Sequence, residues 1–112
     1  MDEDGAPVCP LPVPPDFSGV SIVDLCPDPR PSDYRAAMEL ARMEAAARLE
    51  EPMLLSWYDR DRNFEAPQHV SECHQTSATP GYVDYGLNHG ARLMIDIDSG
   101  RFVFFYRDAF QF

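Results

Sequence analysis

Ala91 to Phe112, ARLMIDIDSGRFVFFYRDAFQF, decides how the rest of the chain is read. Leu93, Ile95 and Ile97 alternate with Arg92, Met94 and Asp96, the period-2 pattern of a half-buried strand. Ser99-Gly100 supplies a turn in which glycine tolerates positive φ. A two-residue loop pairs Asp98 with Arg101 and sets Phe102, Phe104 and Tyr106 opposite Ile97, Ile95 and Leu93. All of these large apolar groups then share one face. A three-residue loop with a bulge would slip the register by one and split the set, so the two-residue register is preferred. Val103 and Phe105 make the second face apolar as well. A strand of that kind is central and covered on both sides, or it is covered by a partner.

Working back from the hairpin, Tyr82 to Asn88 reads as a short helix. Thr79 is its expected cap, Pro80 lies in its first turn, and Gly90 is suited to the left-handed residue that ends it. Phe64 to His74 reads as a strand that Pro67 confines to an edge or an irregular start. Asp59 to Asn63 is a polar turn, and Met53 to Tyr58 is a second strand. Ser32 to Glu51 is the clearest helix. Ser32 is the expected cap, and Tyr34, Met38, Ala41, Ala45 and Leu49 form one apolar stripe. Glu44 and Arg48 make an i,i+4 pair in the favoured order, and Pro52 stops the helix. The expectation is an α+β domain of order αββαββ. It has a mostly antiparallel sheet of about four strands, with one long and one short helix on one face.

Residues 1–31 hold eight of the eleven prolines, and six acidic residues against one arginine. Proline neither donates to a ladder nor continues a helix, so this stretch reads as an extended or disordered extension to a single domain over 32–112. Within it Gly19 to Val23 is more apolar. It is read as either a tethered tail or a docked edge strand.

The chain carries a net charge of −10, and its nine basic residues are all arginine. That balance argues against nucleic acid as a partner, because phosphates would go unneutralised. No apolar run reaches the roughly 18 residues of a membrane span. The acidic N-terminus is unlike a signal peptide. An odd number of cysteines, three, does not suggest a secreted disulfide scaffold, and a reducing cytoplasm is the expected location.

The succession Ser56-Trp57-Tyr58-Asp59, then Cys73-His74, then the helix end Tyr85-Gly86-Leu87-Asn88-His89-Gly90, then Gly100 to Arg107 resembles a small prokaryotic family of α+β domains of unknown function. The resemblance spans roughly Ser32 to Arg107. It implies a fold and transfers no catalytic residue.

Several positions are chemically capable. His69, Cys73 and His74 are ligand types suited to zinc or another transition metal. On a strand, however, His69 and Cys73 share a face while His74 points away, and Cys9 and Cys26 lie far back in the chain. No cofactor is therefore expected. Trp57, Asp59, Arg60 and His89 are candidate ligand-binding residues. Arg60 or Arg62 beside Trp57 can bind a carboxylate or stack, and His89 sits where a helix dipole favours its protonated form. Asp96, if buried, needs a partner such as Arg92 or Arg107. No nucleophile elbow, phosphate loop, dinucleotide fingerprint or zincin motif is present. The leading expectation is a non-enzymatic interaction module that self-associates or docks a protein through its sheet, with Val103, Phe105, Phe110 and Phe112 at the interface. A metal- or redox-responsive protein using His69, Cys73 and His74 is the alternative. A small enzyme with a pocket near Trp57, Asp59 and His89 comes third.

Overall fold

The hairpin forms in the register that gathers its large apolar groups. In a computed structural model, which describes residues 16–68 and 80–110, Leu93 pairs with Tyr106, Ile95 with Phe104 and Ile97 with Phe102. The Arg101 amide donates to the Asp98 carbonyl to close the turn. Asp98, Ser99 and Gly100 take φ of 61°, 53° and 82°, a run of left-handed backbone that two non-glycine residues must enter. The half-buried Asp96 secures it by accepting the Gly100 amide at 2.5 Å. Asp96 therefore anchors the turn through its carboxylate.

The elements run β1 (Ser21–Leu25), α1 (Tyr34–Arg48), β2 (Pro52–Asp59), β3 (Phe64–Ala66), α2 (Gly81–Asn88), β4 (Leu93–Ile97) and β5 (Phe102–Asp108). They make an α+β fold around a five-stranded sheet of order β1-β4-β5-β2-β3. Every neighbouring pair is antiparallel except β1 with β4. It follows that β1 and β2 run parallel, so β1-α1-β2 is a crossover unit with the β4–β5 hairpin inserted between its strands. The sequence order αββαββ thus gains a strand at its start. Ser21 to Leu25 lies in residues expected to be an extension, and it is the docked edge strand of the two readings. Its Val23 is buried against the face that α1 covers, and the strand pairs with β4 along its whole length.

The helices cover opposite faces of the sheet, not one. Ala37, Ala41 and Ala45 of α1 are fully buried against Leu93, Ile95, Ile97, Phe102, Phe104 and Tyr106. On the other face Val83 of α2 joins Val103 and Phe105, with Phe17, Leu55, Tyr82 and Leu87 packed around them. Periodicity shows which residues of a helix are apolar, but not which side of a sheet they meet. The second apolar face of β5 was the one sign that a second layer was needed.

Local chemistry sets the ends of α1. Its cap is Asp33, whose carboxylate accepts the amides of Arg35 and Ala36, so Ser32 lies one residue outside. The helix ends at Arg48, with extended Leu49 as its C-cap, short of the Glu51 expected from Pro52. The Glu44–Arg48 pair forms at 2.5 Å. Helix α2 begins one residue early, at Gly81. There the Glu65 carboxylate of β3 accepts the Tyr82 amide at 3.2 Å, supplying from a strand the acceptor that a helix N-terminus lacks. Gly90 takes the left-handed φ of 89°.

Candidate functional site

Trp57 and Asp59 are two residues apart on β2, and the strand's alternation turns both toward the α1 face. Trp57 stacks on Phe104 at 5.8 Å between centroids and on Tyr34, the first residue of α1, at 5.6 Å. Phe64, where β3 begins, meets Trp57 at 5.4 Å. Asp59 is 1% exposed. One of its oxygens accepts the Asp61 amide at 3.0 Å, and the other accepts Nε of Arg62 at 2.7 Å. The Arg62 guanidinium then lies 4.0 Å from the centroid of Tyr34, 4.8 Å from that of Phe64 and 6.0 Å from that of Trp57. The result is a cage of aromatic rings over a buried carboxylate, filled by a guanidinium.

The other residues nominated with Trp57 and Asp59 lie elsewhere. Arg60 points to the β4–β5 turn, where its Nη1 donates to the Ser99 carbonyl at 3.4 Å. His89 caps α2 on the opposite face of the sheet. Its ring stacks on Tyr85 at 3.9 Å, and Nδ1 donates to the Tyr85 carbonyl at 2.8 Å. A pocket shared by Trp57, Asp59 and His89 is therefore not formed, because a sheet separates them. His69, Cys73 and His74 lie outside the described residues. Among the described residues no group of three or more His, Cys, Asp or Glu side chains is placed to hold a metal ion.

The expected interface is also rearranged. Val103 and Phe105 are buried within the chain itself, 4% and 0% exposed, beneath α2 and Phe17, whose ring stacks on Phe105 at 6.5 Å. They are not available to a partner. Phe110 is exposed, and Phe112 lies outside the described residues. Among the described residues β1 is one of the two edges of the sheet, β3 being the other. In β1 the Ser21 amide donates to the Arg92 carbonyl, and the Leu25 carbonyl accepts the Asp98 amide. The odd-numbered residues are thus committed to β4, and strand alternation turns the N–H and C=O of Ile22 and Asp24 outward. Apolar groups flank this edge on both sides. Ile22, 52% exposed, lies on the α2 face. On the α1 face a groove of about 440 Å³ is lined by Leu25, Cys26, Pro27, Leu40, Met43 and Glu44.

Beside the C-terminal end of β1, charges lock the turns together. The Arg101 guanidinium holds Asp61 at 2.7 Å and Asp98 at 3.2 Å and donates to the Pro31 carbonyl. Arg30 reaches Asp98 at 2.9 Å. These hydrogen bonds keep the Asp61 and Asp98 carboxyls below the usual carboxylate range. The cluster ties the segment leading into α1 to both hairpin turns, and each of these charges is matched.

Sequence reasoning named Trp57 and Asp59 and offered Arg60 or Arg62 as an arginine beside Trp57, of which Arg62 is the one over the rings. It missed Tyr34 and Phe64, which it had assigned to the helix stripe and to a strand. Phe64 returns to Trp57 across the β2–β3 turn, whereas no local pattern carries Tyr34 there, and only the crossover of α1 does.

Comparison with known proteins agrees with this architecture. A family described as a domain of unknown function, DUF5619, matches residues 20–106, and the chain belongs to it. The match starts at β1, ahead of the Ser32 boundary of the resemblance. The fold is similar to that of protein AF1514 from Archeoglobus fulgidus, a crystal structure with TM-score 0.65 and 19% identity, covering 83% of this chain and 99% of that one. No curated protein matches the sequence. Among the described residues no helix is long and apolar enough to cross a membrane.

Proposed function

We propose that this DUF5619 domain is a non-catalytic interaction module that takes an extended segment of a protein partner as a further strand beside β1. The observation that carries this reading is the pairing pattern of β1. Its inner groups are satisfied by β4, while the outward groups of Ile22 and Asp24 are left to accept a ladder, with apolar ground on both faces for alternate side chains of an added strand. Docking on the sheet faces, the form first expected, is blocked by α1 and α2. The net charge of −10, with Asp24 and Asp28 exposed nearby, opposes a second copy and favours a segment of alternating apolar and basic residues.

The test is a titration of the labelled protein with a short peptide alternating valine and lysine, followed through the backbone amide signals. Binding should move Ile22 and Asp24 first. Proline at an edge position removes an outward N–H without touching the β4 ladder, so Asp24→Pro should fold and lose binding, while Asp24→Asn should retain most of it. Binding that Asp24→Pro leaves intact would contradict the reading. A concentration-dependent dimer that Asp24→Pro abolishes would make a second copy the partner.

A further inference from the structure

We infer that the cage of Tyr34, Trp57 and Phe64 over Asp59 is a guanidinium-recognition site, occupied in cis by Arg62 and able to take an arginine side chain of a partner in its place. The site stands apart from strand addition, since β2 and β3 lie at the far end of the sheet from β1.

The two halves of the contact differ in how firmly they are held. The receiving half is built on regular elements. Trp57 lies between Phe104 and Tyr34, Tyr34 is fixed by the start of α1, and Phe64 by pairing of β3 with β2. Asp59 keeps its orientation without Arg62, because the Asp61 amide also holds its carboxylate. The occupant is less constrained. Arg62 belongs to a turn whose residues 60–63 are all exposed, its side chain is 45% exposed, and it meets Asp59 through Nε.

The chemistry of the cage selects the ligand class. A guanidinium is planar, so its face can lie on the rings while an N–H edge meets the carboxylate. An ammonium is a compact, strongly hydrated point charge with no planar face to lay on the rings. Vacating the cage would leave a buried carboxylate unpaired, which is strongly unfavourable. Exchange of Arg62 is therefore favoured only for a cation of the same shape. In the wild type the tethered Arg62 competes at high effective concentration and weakens any incoming arginine by the fraction of time the cage is open.

Trp57 is the only tryptophan in the chain, so its fluorescence reports on the cage directly. Full-length Arg62→Ala should bind N-acetyl-arginine amide with a saturable change in that fluorescence, at least about tenfold more tightly than wild type. N-acetyl-lysine amide should give no such change. Arg62→Gln, which keeps most of the side chain's bulk, provides the same titration if the alanine variant does not fold. On the wild type, a high concentration of the arginine probe should move the Arg62 Nε–Hε signal toward that of a free arginine. A folded variant that is silent to the arginine probe, or that responds equally to the lysine probe, would overturn the inference. So would an Arg62 signal that does not move.

Discussion

Phe105 is fully buried on the second face of the sheet, and its cover comes from within the chain, through Phe17, Tyr82 and α2. Phe104→Ala and Phe105→Ala should therefore each cost roughly 3–5 kcal/mol in the monomer, as measured by chemical denaturation. A much smaller loss at Phe105 would mean its cover is incomplete. Gly86 shows how close that cover is, since a Cβ there would stand 2.8 Å from Phe105 Cγ. Alanine would gain helix propensity, but the aromatic ring beneath it is packed on all sides. Gly86→Ala should then destabilise by about 1–2 kcal/mol net, whereas alanine in an exposed helix turn would stabilise. Tyr82 reports on the same layer through pH. Burial, with Tyr58, Asp96 and Glu65 nearby, pushes its phenol up to about 12 from 10.0. The folded state prefers the neutral phenol, so this contribution is complete below the unfolded value and is lost as pH rises toward 12. Tyr82→Phe should flatten the decline in melting temperature over that alkaline window.

At the scale of elements, both strands of the hairpin, their register and the stripe of α1 were legible, because alternation and helical spacing are local signals. Helix ends were less so. Ser32 and Asp33 are both capable caps, and only backbone geometry selects the second. Asp33→Ala should cost about 1 kcal/mol, while Ser32→Ala should stay within about 0.5 kcal/mol; thermal melts of the two variants decide between them. The side of the sheet on which each helix packs was not legible, and neither was the fate of β1. Five short residues among prolines carry too little pattern to distinguish a tail from a strand that a parallel neighbour holds. The cage was half legible. Trp57 and Asp59 share a face by strand alternation, but Tyr34 arrives through a crossover that no spacing encodes.

Among the described residues the molecule is a sheet closed on both faces by its own helices, with β1 at one edge and β3 at the other. That division accounts for a doubly apolar strand without invoking a second chain. The ion-pair cluster around Arg101 fastens the approach to α1 to the hairpin turns and so fixes where the edge ends. Amide hydrogen exchange of the dilute free protein tests this most directly. Val23 and Leu25, committed to β4, should exchange slowly, and the outward amides of Ile22 and Asp24 should exchange close to the rate of unstructured chain. Slow exchange at Ile22 and Asp24 comparable to that of Val23 would show the edge already covered and would contradict the account.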